Sequence, residues 1–383
     1  MEFRDLKKQY KVLKKEIDNA VLDVMSNANY ISGIQVKELE EELAEYIGAK
    51  HCITCANGTD ALSLALMAWG IGKGDAVFVP DFTYFASGEV ISLAGAIPIF
   101  VDAEKDSYNI DPDKLEIVIQ KVKNEGKFKP VAVIAVDLFG LPADYNRIYE
   151  ICKKYNLLLL EDGAQGFGGM LNGKKACSFG DISTTSFFPA KPLGCYGDGG
   201  GVFTNNDEWA EMIRSYAVHG KGSSKYDNVR IGINSRLDTL QAAILKVKLK
   251  AFKNYELENI NRVAEWYNNG LKGCNIVLPR VKSKFYSSFA QYTIQLPEGI
   301  DRQGLQGFLK EKGIPSMIYY IKPLHLQKAF TNTESEEADC PVAKELCKKV
   351  ISLPLDPYKT KEEIKTIANV IMFFIENKRQ LQN

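Results

Sequence analysis

Residues 157–165 read LLLLEDGAQ, four leucines running into Glu161, Asp162 and a Gly-Ala-Gln turn. A short, wholly apolar run that stops at such a turn fits a strand buried on both faces, as in a parallel sheet covered by helices. Open α/β sheets gather their ligand-facing groups past the carboxyl ends of the strands, so Asp162 is aimed at a crevice. The competing reading of this stretch alone is a carboxylate that caps the next helix.

Working outward, runs of the same kind recur at 76–79, 97–101, 131–136, 182–187 and 201–204. Amphipathic stretches at 59–69, 112–124 and 145–154 separate them, which is an α/β signature. From about 237 the pattern changes to a long helical run reaching roughly 270, then a mixed segment through 318, then a closing helix at 361–377. At 383 residues the chain exceeds the size at which one core stops growing. The expected organisation is a large α/β domain at 1–240, its mostly parallel sheet covered by helices, and a smaller α+β domain at 241–383. Residues 215–232, rich in Gly, Ser, Lys and Tyr, read as a long loop.

The 48 basic and 48 acidic residues cancel, so no electrostatic footprint for nucleic acid or an anionic membrane is present, and any anionic ligand must be met locally. The charged start and the lack of a membrane-length apolar run predict a cytoplasmic protein without a membrane partner. Eight scattered cysteines make no disulfide framework. Cys52 and Cys55 form a C-x-x-C with no second pair for zinc, so they read as small buried hydrophobes and no metal is expected.

Residues 183–194, STTSFFPAKPLG, are a strand that runs into a loop presenting Lys191 between prolines and small residues. Desolvation lowers an amine's pKa and suits it to condense with an aldehyde. Residues 57–62, NGTDAL, open a helix with a Gly-Thr pair whose free amides can bind phosphate, although Thr59 as a plain cap fits as well. Phe82-Thr83-Tyr84 offers rings that could stack on a planar ligand or simply fill the core.

Together with SFFPAKPLGCYGDGGG (186–201), IGINSRLDTLQAAIL (231–245) and ISLPLDPY (351–358), these segments resemble the DegT/DnrJ/EryC1/StrS family of sugar aminotransferases over nearly the whole chain. The resemblance implies an aspartate aminotransferase-like fold, pyridoxal-phosphate fold type I, with the cofactor in the large domain. It makes Lys191 the Schiff-base lysine and Asp162 the carboxylate facing the pyridine nitrogen. Gly58, Thr59 and Ser186 match phosphate-binding positions, Gln165 the ring's hydroxyl side, and Tyr84 the stacking aromatic. Asn234 matches a residue that reaches the phosphate from the neighbouring subunit, which implies a homodimer with shared sites. Gly163, Gly166 and Ala190 depart from the family pattern without removing a functional group. Lysine at 191, rather than histidine, implies transamination and not dehydration.

The same resemblance implies a two-stage transfer with ping-pong kinetics. Glutamate leaves as 2-oxoglutarate, pyridoxamine 5'-phosphate is the intermediate form of pyridoxal 5'-phosphate, and a nucleotide-linked keto sugar accepts the amine. Segments 186–201 and 234–245 look most like the branch that aminates UDP-2-acetamido-2-deoxy-3-keto-glucuronic acid for bacterial surface polysaccharides such as lipopolysaccharide O-antigen. A TDP-linked 3-keto or 4-keto 6-deoxyhexose is the alternative, and a non-enzymatic regulator on the same fold would show a damaged cofactor set. A diphosphate and a uronate need several donors. Lys221, Lys225, Arg230, Arg236, Tyr319, Tyr320 and His325 are available, with Arg236, Tyr320 and His325 the expected substrate contacts.

Overall fold

Two amphipathic helices, α1 (Leu6–Asn27) and α2 (Ile34–Ile47), lead into the first strand, β1 (His51–Cys55), in a computed structural model that describes residues 1–224, 226–331 and 338–380. There follow α3 (Gly58–Ala68), β2 (Asp75–Pro80), α4 (Phe85–Leu93), β3 (Ile97–Val101), α5 (Pro112–Glu125) and β4 (Lys129–Val136). Next come α6 (Tyr145–Tyr155), β5 (Leu158–Asp162), the short β6 (Met170–Leu171) and β7 (Lys174–Lys175), then β8 (Ile182–Ser186) and β9 (Gly200–Thr204). After α7 (Asp207–Tyr216) a loop reaches α8 (Thr239–Ala251), which a π-helical turn joins to α9 (Leu257–Gly270). The chain ends with β10 (Phe285–Tyr286), β11 (Tyr292–Gln295), α10 (Arg302–Glu311), α11 (Pro341–Lys349), β12 (Val350–Leu353) and α12 (Lys361–Gln380).

The large sheet has seven strands in the order β1-β9-β8-β5-β4-β2-β3. Strands β8, β5, β4, β2 and β3 are parallel, and β9 runs against both of its neighbours. Side chains alternate between two buried faces. Val77, Val79, Ala132 and Ile134 join one apolar cluster, while Ala76, Phe78, Val133 and Ala135 join another on the opposite side. This is why these runs carry no polar alternation: a strand covered on both faces has no wet side.

A third cluster gathers Ile260, Tyr267, Tyr292, Leu305, Ile351, Leu353 and Ile371 around the antiparallel pair β11–β12. The expected boundary after residue 240 falls inside α8, whose Leu245 and Leu249 pack with Leu39 and Leu43 of α2. One uninterrupted helical pattern spans both sides of it, so periodicity carries no mark of a division there. Among the described residues, no helix is long and apolar enough to cross a membrane.

Three differences from the sequence reading have simple causes. Strand β1, HCITC, stands at the sheet edge against β9, with Cys52 and Cys55 buried in it, where only a C-x-x-C was legible. Strand β5 ends at Asp162 itself and not before it, because pairing with β4 and β8 continues through that residue. The loop expected to open at 215 opens after Tyr216, where α7 ends.

Candidate active site

Strands β5 and β8 pair side by side, with Asp162 opposite Thr184, so their carboxyl ends deliver Asp162 and Ser186 to the same rim of the sheet. Beyond Ser186 the backbone closes on itself. The Lys191 N–H donates to the Phe188 carbonyl at 2.8 Å and the Cys195 N–H to the Phe187 carbonyl at 2.8 Å. A side chain at Gly194 would come within 2.5 Å of the Pro189 carbonyl oxygen, so this turn needs glycine there.

The Asp162 carboxylate is only 5% exposed. One oxygen accepts the Ser87 hydroxyl at 2.8 Å, and the other accepts the Ala164 N–H at 3.2 Å. Burial pushes this carboxyl above the usual range, while the Ser87 bond, the Ala164 bond and the charge on Lys191 act the other way. The Lys191 ammonium is lowered by burial, an effect that Asp162 partly offsets. An acid and an amine thus interact electrostatically in a site that disfavours charge on both.

Gln165 ties two elements to this rim. Its Oε1 accepts the Phe139 N–H at 2.8 Å and its Nε2 donates to the Tyr320 hydroxyl at 3.2 Å. The Tyr320 ring packs 6.0 Å from Phe82 and 6.4 Å from Tyr84. Tyr84, at the start of α4, is 58% exposed. A large ring left open beside a buried acid and a desolvated amine has a free face for a planar ligand.

Helix α3 begins beside Ser186. The Asn57 side chain caps it by accepting the Asp60 N–H at 2.8 Å. The first helical amides, those of Gly58 and Thr59, have no carbonyl one turn back to reach. A Cβ at Gly58 would lie 2.7 Å from the Ser186 Cβ, so the helix start and the strand end form one close-set cradle. Helix-start amides and a hydroxyl suit a phosphate, Asp162 suits a protonated ring nitrogen, and a desolvated lysine suits an aldehyde. This donor set fits pyridoxal phosphate.

The other expected residues are placed differently. Asn234 and Arg236 are exposed and make no side-chain hydrogen bond or ion pair among the described residues, although the adjacent Ser235 accepts the Ala56 N–H at 3.0 Å. Arg230 lies over the Tyr216 ring, and Tyr319 packs on Phe3 and Tyr320. Lys225 lies outside the described residues. The expectation that His325 contacts substrate is corrected: its ring is 3% exposed and its Nδ1 meets an Asp81 carboxylate oxygen at 2.5 Å. Asp81 also accepts the His325 N–H at 2.8 Å and, through its carbonyl, the Leu324 N–H at 2.9 Å. With Cys340 close by, His325 fastens 324–325 to the end of β2, and its Nε2 is buried without a hydrogen-bond partner among the described residues.

Two groups beside Asp162 escaped the sequence reading. Ser87 was legible only as a hydroxyl four residues after Thr83. The pair Asp137 and Glu161 is wholly buried. Glu161 accepts from the Cys177 and Phe179 amides and from the Ser183 hydroxyl, while Asp137 accepts from the Tyr145 hydroxyl at 2.7 Å and the Ala143 N–H at 3.1 Å.

A profile of the DegT/DnrJ/EryC1/StrS aminotransferase family matches residues 11–372. The chain belongs to this family. It is 43% identical over 368 residues to the UDP-2-acetamido-2-deoxy-3-oxo-D-glucuronate aminotransferase of Pseudomonas aeruginosa, covering 96% of this chain and 98% of that one. Among solved structures, a DegT/DnrJ/EryC1/StrS aminotransferase from Brucella abortus superposes with a TM-score of 0.94 at 46% identity, covering 98% of this chain and 99% of that one. NtdA from Bacillus subtilis, solved with the cofactor PMP bound, has a TM-score of 0.85 at 26% identity, covering 95% of this chain and 82% of that one. The aspartate aminotransferase-like fold and dependence on pyridoxal phosphate therefore hold for this member of the family.

Proposed function

We propose that this pyridoxal-phosphate aminotransferase moves an amino group from glutamate to a nucleotide-linked keto sugar, UDP-2-acetamido-2-deoxy-3-keto-glucuronic acid. The observation that carries the reading is the pairing of a half-buried, desolvated lysine with a buried carboxylate at the sheet rim, in a chain alike along nearly its whole length to an enzyme named for that substrate. When bound, pyridoxal phosphate supplies the aldehyde carbon that carries the amino group and a ring that draws electrons from the carbon losing its proton.

Each residue then has a physical task. Asp162 holds a proton on the ring nitrogen by offering a carboxylate oxygen to it. Lys191 would hold the aldehyde carbon and, as a free amine whose proton affinity burial has already lowered, would carry the proton. The Gly58 and Thr59 amides and the Ser186 hydroxyl bind the phosphate, and Asn234 of a second copy completes that contact in a homodimer. Tyr84 covers the ring face and Gln165 orients its hydroxyl side. Arg236 and Tyr320 are the proposed contacts to the sugar nucleotide.

The test is amination by purified protein with glutamate and a panel of UDP- and TDP-linked keto sugars, read by mass spectrometry. Conversion of the UDP-linked 3-keto uronate supports the reading. Conversion of neutral TDP-linked 6-deoxyhexoses alone keeps the chemistry and overturns the substrate.

A further inference from the structure

Behind Asp162 stands a line of buried hydroxyls. Ser87 donates to the Asp162 carboxylate at 2.8 Å, and the Thr83 hydroxyl lies 3.2 Å from the Ser87 oxygen. All three side chains are buried, Ser87 to 1% exposure. Proton counting fixes the direction of the line. A carboxylate only accepts, and Ser87 has one hydroxyl proton, which the carboxylate takes. Thr83 must therefore donate to Ser87, and each bond polarises the next.

The setting adds to this. Ser87 lies in the first turn of α4, a helix with no side-chain cap and no acidic residue in that turn. The positive end of that helix is thus left to the Asp162 carboxylate, which meets it through Ser87. Thr83 lies just outside the helix, before the extended N-cap residue Tyr84, and the chain entering α4 brings its hydroxyl to Ser87.

We infer that Ser87 is a positioning residue for the reaction: with Thr83 behind it, it holds the Asp162 carboxylate ionised and fixed in rotation toward the ring nitrogen. The inference rests on the reading of Asp162 above. Lys191, Tyr145, Cys177 and Tyr320 are the titratable groups that interact with Asp162. Burial pushes the last three up and keeps them neutral, so Lys191 is the cation of this set among the described residues; the buried carboxyls of Asp137 and Glu161 lie next to Asp162 along the strands. The pull of Lys191 and the two hydrogen bonds oppose a desolvation that favours the protonated acid. Removing the Ser87 bond releases Asp162 toward that form.

The experiment compares Ser87→Ala, Thr83→Val and Asp162→Asn with the parent protein. The dissociation constant of pyridoxal 5'-phosphate from the apoprotein is measured by tryptophan fluorescence from pH 5.5 to 9, beside the pH profile of kcat/KM and thermal unfolding. Ser87→Ala is expected to move the acid limb of both profiles up by about one pH unit, and to weaken cofactor binding about tenfold on that limb. Thr83→Val, which removes only the second donor, moves both in the same direction by less. A purely structural role would lower the unfolding temperature and leave both limbs in place, and that result overturns the inference. Should Ser87→Ala not fold, unshifted limbs in Thr83→Val overturn it equally. The underlying reading fails separately, if Asp162→Asn binds cofactor and turns over like the parent.

Discussion

Asp137 and Glu161 lie immediately next to Asp162, the Asp137 N–H donating to the Asp162 carbonyl at 3.1 Å. Burial and the neighbouring Glu161 charge push the Asp137 carboxyl well up; burial raises Glu161 too, but there the Ser183 hydroxyl and the Phe179 and Cys177 amides act the other way. Asp137 thus carries the proton of the pair. A raised native pKa means that folding takes up a proton: the contribution is complete below the unfolded carboxylate range and fades as pH rises toward the native value. Asp137→Asn, which keeps the acceptor toward Tyr145 and Ala143 and gains a permanent donor, should gain stability relative to the parent as pH rises from 5 to 8. Melting temperatures measured at each pH check this, and a constant difference would assign the proton elsewhere. At Lys191 the expected outcome of Lys191→Ala is loss of the visible cofactor absorbance together with transamination, read by spectrum and assay. Retained absorbance would move the attachment point to another lysine.

At the scale of elements, the site depends on how α3 starts and how β5 ends. Asn57 caps α3 through the Asp60 amide, so Asn57→Ala should cost about 1 kcal/mol in a denaturant titration and weaken cofactor binding by loosening the cradle. A Cβ at Gly166 would lie 2.2 Å from an Asp137 carboxylate oxygen. Gly166 was legible as a harmless departure from the family pattern, yet it makes room for the Asp137–Glu161 pair. Gly166→Ala should lower the melting temperature markedly, and Gly166→Ala combined with Asp137→Ser should recover part of the loss. The long helical pattern after 237 was read correctly as helix, but its packing on α2 was not legible, because periodicity reports which face is buried and not what covers it.

At the scale of the whole molecule, Asn234 is exposed in its own chain, and Ile231 nearby is 92% exposed. An open apolar side chain next to a residue assigned to a neighbour's site accords with the proposed homodimer. The arrangement makes a specific prediction. Lys191→Ala and Asn234→Ala proteins, each inactive or impaired alone, should regain about a quarter of parent activity when mixed and allowed to exchange, since half the dimers are mixed and each holds one intact site. No recovery on mixing would place Asn234 in the site of its own chain.

The sequence by itself determined the α/β class and where most of the principal strands fall along the chain, and through a family resemblance it nominated Asp162 and Lys191 as the acid and the amine of the proposed site. Those features live in local pattern: apolar runs with no wet side, a lysine locked between prolines, a Gly-Thr pair at a helix start. The tertiary structure alone decided that His325 belongs to Asp81, that Ser87 and Thr83 stand behind Asp162, and that Asp137 shares its burial with Glu161. The reason is sequence separation. A hydrogen bond between residues 244 positions apart leaves no trace in the neighbourhood of either partner, and a buried polar residue reads the same as an exposed one until its partner is found.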